Sequence, residues 1–158
     1  MYKPGHYGVS LLVYAPVFAA LLVAGYDALA LLGGVAMLAL ATVPDYDQRV
    51  PFVKHRGVTH TFAFAWLVGA ALGGAALLLP ADGQNRVLLA GVGFGVGVLG
   101  ILAHLAGDVL TPAGIRPLWP FTKKKYTLSL WTADDTLANY GLLAAGAFVT
   151  AVAYLLLA

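Results

Sequence analysis

The chain has 158 residues, of which 61% are hydrophobic and only 10% are charged, a balance that excludes an ordinary soluble globular protein and indicates a membrane protein. The formal net charge of +2 is too small to predict a nucleic-acid partner, and the sequence shows no continuous basic face. Cysteine is absent, which excludes thiol catalysis, disulfide bonds and cysteine-ligated zinc. Glutamate is absent too, so every side-chain carboxylate belongs to one of seven aspartates.

Five apolar runs follow one another along the chain, over residues 7–24, 28–43, 59–79, 86–110 and 136–158. They predict an all-α integral membrane bundle of about five transmembrane helices that forms a single domain over residues 1–158. The second run is short for a span. The weak basic region before the first run and the absence of a compelling cleavage site favour a retained helix over a signal peptide.

Alternate glycines in the fourth run give two GxxxG pairs, Gly91 with Gly95 and Gly93 with Gly97. No strand precedes them and no GK[ST] follows, so close helix packing is favoured over a phosphate-binding loop.

Two polar segments separate the apolar runs, residues 44–60 and residues 111–135. Three prolines in the second segment predict that it forms no long helix. Trp119, Phe121 and Trp131 suit a membrane interface, and the lysines at 123–125 are interpreted as a membrane-surface cluster.

With five spans, eight of the nine basic residues fall on one side of the membrane, which the positive-inside rule makes cytoplasmic. The amino terminus is then cytoplasmic as well. Arg49 and Lys54 could be topology determinants and nothing more.

This topology brings all four histidines and three of the seven aspartates to the same membrane face: His6, Asp45, Asp47, His55, His60, His104 and Asp108. His104 and Asp108 are four residues apart, so one helix face carries both. Each residue alone is more simply an interfacial anchor or a solvated loop residue. Their agreement on one face predicts a metal site, with zinc favoured over manganese or iron. We expect Asp45 and Asp47 to point inward from an extended turn.

Covalent catalysis is the competing chemistry. Ser10 and Ser129 lie in no nucleophile-elbow motif. Thr59 would need an activating base, and on a helix it would point away from the adjacent His60.

Three motifs, PDYD at 44–47, HRGVTHT at 55–61 and HLAGDVLTPAGIRPLWPF at 104–121, resemble the YdjM-type family of membrane-bound, predicted metal-dependent hydrolases. Some bacterial members of that family are described as LexA-regulated inner-membrane proteins. The family is similar, distantly, to zinc-dependent phospholipase C and single-strand nucleases. The resemblance implies His104 and Asp108 as the surest ligands of one or two metal ions. It adds His6, Asp45, His55 and His60 as further ligands, and Asp47 as a ligand or a base.

The resulting hypothesis is hydrolysis of a phosphoester by a metal-activated water at the cytoplasmic membrane face, with a membrane lipid as substrate. Asp47 would take a proton, and Arg56 and Arg116 would hold the phosphate oxygens. Trp119 and Phe121 would lie beside a lipid headgroup. The alternative is a non-enzymatic membrane protein that binds or transports metal, and a third reading gives the site a purely structural role. No nucleic-acid partner is expected, and the sequence leaves the oligomeric state open.

Overall fold

A computed structural model of the chain describes residues 1–52 and 55–158, so the interpretation of Lys54 lies outside the described residues. Within them the fold is all-helical, as predicted, and an isolated bridge between Ile115 and Tyr126 is the one β-type pairing. The α-helices are α1 (Lys3–Val23), α2 (Asp27–Leu40), α3 (Phe62–Leu77), α4 (Gly83–Val109) and α5 (Thr136–Leu157). Two 3₁₀ segments, Pro44–Arg49 and Val58–His60, lie between α2 and α3.

Four stretches in the described part of the chain are long and apolar enough to cross a membrane: Lys3–Val23, Asp27–Arg49, Gly83–Val109 and Thr136–Leu157. The shorter apolar helix α3 has 16 residues and a length of about 24 Å, less than the roughly 30 Å of a bilayer core. The expected count of about five membrane helices is therefore consistent. Helix α2 alone has 14 residues, and the second stretch reaches the length of a span only together with the 3₁₀ segment that follows it.

Helix α1 begins earlier than the apolar run predicted, and this difference places His6 inside the helix. Pro4 lies in the first turn, where a missing backbone N–H has no helical partner to lose. The histidine is consequently held by regular helix.

The turn that carries Asp45 and Asp47 is a 3₁₀ helix, so the expectation of an extended turn was wrong. The proline at its first position favours a helical φ, and the N–H of Asp45 donates to Thr42 O while that of Tyr46 donates to Val43 O. Both carboxylates nevertheless reach the histidines, as described below.

Helix α1 packs along α5 and also contacts α2 and α4, while α3 packs along α4. The α3–α4 approach depends on Gly97, because a Cβ added there would lie 2.6 Å from Gly69 Cα. Gly93 faces the same helix, with Leu72 O 3.1 Å from its added Cβ, whereas Gly91 and Gly95 face open space. The predicted glycine packing is thus confirmed for one of the two pairs.

The second polar segment contains no helix, as its prolines predicted, and it is fastened to the end of α4. Leu128 N donates to Val109 O and Leu130 N donates to Leu110 O. Phe62 N donates to Pro117 O, which ties this segment to the start of α3 as well. These bonds bring Arg116 and Trp119 to the same end of the bundle as the histidines.

Candidate metal centre

The ends of four elements meet at one end of the bundle and bring five of the six predicted ligands together, all but His55. Helix α1 contributes His6 from its first turns, and the 3₁₀ segment after α2 contributes Asp45. The second 3₁₀ turn contributes His60, and the last turns of α4 contribute His104 and Asp108. All except Asp45 are fully buried, and the side chain of Asp45 is 27% exposed.

Four of these residues form a compact donor set, Asp45, His60, His104 and Asp108. The Nε2 atoms of His60 and His104 are 3.2 Å apart. Asp45 Oδ1 lies 3.5 Å from the first and 3.6 Å from the second, and Asp108 Oδ2 lies 3.5 and 3.7 Å from them. The predicted i, i+4 pair of His104 and Asp108 therefore points at one place from one helix face.

In both imidazoles, a hydrogen bond at Nδ1 orients the ring so that Nε2 points toward the donor set. His104 Nδ1 is 2.7 Å from Ala41 O, and because a carbonyl only accepts, Nδ1 carries the hydrogen. Thr59 donates its hydroxyl hydrogen to Asp47 Oδ2 at 2.7 Å, so its oxygen accepts from His60 Nδ1 at 2.9 Å. Both histidines therefore direct Nε2 into the donor set, as metal-binding histidines with a supporting partner do.

The donor set has the spacing of a four-coordinate metal site. Ligand atoms that share a zinc ion at 2.0–2.2 Å lie about 3.3–3.6 Å from one another, close to the separations found here. Asp108 Oδ2 is buried and has no hydrogen-bond partner among the described residues, although it faces two imidazole nitrogens. A buried carboxylate oxygen without a donor is expected where a cation belongs. Two nitrogens and two oxygens are a donor combination that zinc accepts.

The other oxygen of Asp108 is held by cations of the chain itself. Oδ1 accepts a hydrogen bond of 2.7 Å from the amino group of Met1 and one of 3.1 Å from Arg56 Nη2. His6 stacks on the His104 ring, with centroids 3.9 Å apart, and its Nε2 lies 3.6 Å from the same Oδ1. His6 is therefore in contact with the centre but outside the four-donor set.

Asp47 and His55 lie together on the far side of His60, where the three residues form a second group. His55 Nδ1 is 2.7 Å from Asp47 Oδ1, a hydrogen-bond distance and shorter than the spacing of two ligands of one ion. Asp47 Oδ2 accepts from Arg56 N at 3.0 Å as well as from Thr59. Asp47 is fully buried and fastens the loop that carries Arg56 and His60.

Two opposing effects act on the pKa of His60. Burial lowers it, but the neighbouring carboxylates of Asp108 and Asp45 raise it, and the balance lies above the ordinary value. The proton on His60 and a bound cation compete for the same nitrogen.

A cavity of about 580 Å³ lies beside the centre and contains the two arginines predicted to hold phosphate, Arg56 and Arg116. Trp119 and Lys123 line it too. Phe121, predicted to accompany Trp119, is 92% exposed and is not among the lining residues.

Sequence reasoning missed Thr59, Ala41 and Lys123. Thr59 was expected to point away from His60, but in a 3₁₀ turn the two side chains are hydrogen-bonded, so that expectation was wrong. Ala41 acts through its carbonyl, for which no side-chain signal exists. Lys123 was grouped with its two neighbours, although only it lines the cavity.

A family model described as YdjM inner membrane protein matches residues 1–158, the whole of the sequence. No curated protein and no solved structure matches the chain.

Proposed function

The chain belongs to the YdjM inner membrane protein family, and we propose that it is a membrane-bound hydrolase that uses a divalent metal, zinc by preference, to cleave phosphoesters. The observation that carries the proposal is the buried set of four donors, with two imidazoles oriented by hydrogen bonds and a cationic cavity next to them. The wider likeness to phospholipase C and single-strand nucleases stays a prediction.

Some residues of the chain would bind the metal ion, and others would position the substrate or the ligands. Asp45, His60, His104 and Asp108 would hold the ion, and when bound it would supply a water of lowered pKa as the nucleophile. Asp45 is the partly exposed member and lines a second cavity, of about 390 Å³, which would give water access to the donor set.

Arg56 and Arg116 supply positive charge where a phosphate would sit. Guanidinium groups bind phosphate oxygens in pairs and stabilise the charge that builds up on them. Arg56 also bonds Asp108 Oδ1 and Gly114 O, so its guanidinium is held between the donor set and the cavity.

Asp47 was predicted as a base, but its geometry favours a positioning role. Both of its oxygens already accept hydrogen bonds, from His55, Thr59 and the backbone of Arg56. A base would need an oxygen within reach of the attacking water. The buried carboxylate instead orients His60 through Thr59.

The test is turnover of lipid and soluble phosphoesters by purified protein, with its metal content measured in parallel. We expect activity to disappear on chelation, to return with zinc, and to be lost in His104→Ala/Asp108→Ala. Circular dichroism and size-exclusion chromatography in detergent establish that the variant is folded. Undiminished turnover after complete metal removal would reject the proposal.

A non-enzymatic metal-binding protein is the second candidate. It is favoured by the number of protein ligands, because the donor set already has four. Four protein ligands close a tetrahedral site, whereas catalytic zinc sites keep one position for water. The coordination number of the bound metal, measured by X-ray absorption with and without phosphate, separates the two. A closed four-ligand site that phosphate leaves unchanged would favour storage or a structural role.

A further inference from the structure

The cavity beside the metal centre combines positive charge with an apolar rim. Three of its lining side chains are cationic, Arg56, Arg116 and Lys123, and within the described residues no carboxylate lines it. Three others are apolar, Phe52, Val58 and Trp119, and each is more than a third exposed. Its volume of about 580 Å³ lies within the usual range for small-ligand sites.

Arg56 connects this cavity to the metal centre. Its Nη2 donates to Asp108 Oδ1 at 3.1 Å and its Nη1 donates to Gly114 O at 3.1 Å, while the residue also lines the cavity. A ligand that contacts Arg56 from the cavity is therefore next to the donor set.

The backbone around the cavity adopts a conformation that L-residues rarely take. Phe52 has φ of 67° and Arg56 has φ of 58°, and they are two of the three non-glycine residues with positive φ in the described part of the chain. Asp47 fixes the second by accepting from Arg56 N. Strained residues held in place by a buried partner are common at binding sites.

The three consecutive lysines have separate surroundings. Lys124 Nζ lies 5.2 Å from the centre of the Tyr126 ring, and Lys125 Nζ donates to Pro112 O at 2.8 Å. Lys123 is the one whose side chain lines the cavity. It supplies a third positive charge there.

We propose that this cavity is the headgroup subsite of the enzyme, in which Arg116, Lys123 and Arg56 bind a phosphate group and the rim of Phe52, Val58 and Trp119 contacts the apolar part of the same molecule. The inference rests on the proposed function and names its substrate class, an amphiphilic phosphate ester. Charge selects the phosphate, and the exposed apolar rim selects a lipid over a soluble ester.

The test is binding of two probes to chelated protein in a neutral maltoside detergent, measured by calorimetry. The probes are short-chain phosphatidic acid and glycerol phosphate. We expect Arg116→Ala/Lys123→Ala to weaken phosphatidic acid binding about tenfold or more. The control Arg86→Ala/Lys124→Ala removes the same charges outside the cavity and should bind as the unaltered chain does.

Trp119→Ala separates the two sources of phosphate. It should weaken phosphatidic acid binding and leave glycerol phosphate binding unchanged if the ligand is a lipid. Equal affinity for both probes would support the phosphate site and assign it to a soluble ester. Equal weakening by both double variants, or by neither, would overturn the subsite.

The outcome is separable from that of the proposed function. Binding of phosphatidic acid by chelated protein that never turns over a phosphoester would leave the subsite standing without the hydrolase. Metal-dependent hydrolysis with an unaltered kcat/KM in Arg116→Ala/Lys123→Ala would leave the hydrolase standing without the subsite.

Discussion

His60 has a position at the metal centre that its neighbours do not share, because it belongs to both groups of potential ligands. Its Nε2 faces Asp45, His104 and Asp108, while its Nδ1 is bonded to Thr59 and lies 3.5 Å from Asp47. His55 belongs only to the second group. The two histidines can therefore be used to ask where the metal is held.

We predict that His60→Ala abolishes zinc binding and that His55→Ala leaves one zinc per chain. The reason is that the hydrogen bond between His55 and Asp47 occupies the second group, whereas Asp108 Oδ2 in the first group lacks a donor among the described residues. The measurement is metal content after dialysis against a weak chelator. If the unaltered chain held two zinc ions and His55→Ala held one, both groups would bind metal.

Thr59 is the link between Asp47 and His60, and its hydroxyl can be removed with little change in shape. We predict that Thr59→Val weakens zinc binding about 10–100-fold, the usual effect of losing a residue that supports a ligand. Thr59→Ser keeps the hydroxyl and should restore most of the affinity. Affinities come from competition with a fluorescent chelator. If valine and serine behave alike, Thr59 does not orient His60.

At the scale of elements, the contact between α3 and α4 depends on glycines that face each other. An added Cβ at Gly97 would meet Gly69 Cα at 2.6 Å, Gly69 N at 2.8 Å and Val68 O at 2.9 Å. All three atoms belong to backbone, which cannot rotate away, so the two helices would have to separate. His60 lies in the turn just before α3, and Asp108 lies in the last turn of α4.

We predict that Gly97→Ala destabilises the protein by about 1–3 kcal/mol, the usual range for overpacking. The control is Gly91→Ala on the same helix, because its added Cβ meets nothing within 4 Å. Alanine there should be neutral or stabilise by up to about 1 kcal/mol through helix propensity. Thermal unfolding in detergent gives both changes. Equal destabilisation by the two substitutions would mean that close packing at Gly97 is unimportant.

The sequence predicts the helices and most of the centre because those features follow from local rules. Apolar runs place the membrane helices, and the spacing of His104 and Asp108 places both side chains on one helix face. The arrangement around His60 does not follow from such rules. It depends on a 3₁₀ turn, on a hydroxyl held by Asp47 and on the carbonyl of Ala41, all of which require the tertiary contacts between α2, α3 and α4.

At the scale of the whole molecule, the ligand-bearing ends of α1, α2 and α4 and the turn before α3 all meet at one end of the bundle. Helix α5 contributes no member of the donor set, and its outer side chains, such as Leu137 and Leu155, are more than 80% exposed, as expected for contact with lipid acyl chains. The same end carries Arg56, Arg116 and the lysines at 123–125, whereas Arg86 lies at the start of α4. The basic residues therefore cluster at the end of the bundle that carries the donor set, and this asymmetry predicts its orientation in the membrane.

We predict that the metal centre faces the cytoplasm, because loops rich in lysine and arginine are retained there. The chain has no cysteine, so single cysteines introduced on either side report the topology without background. Gln84→Cys, exposed at the start of α4, should react with a membrane-impermeant maleimide in intact cells. Lys124→Cys, exposed at the ligand end, should react only after the membrane is opened. The reverse pattern would place the centre on the outer face, where a phosphoester substrate would have to come from the opposite leaflet.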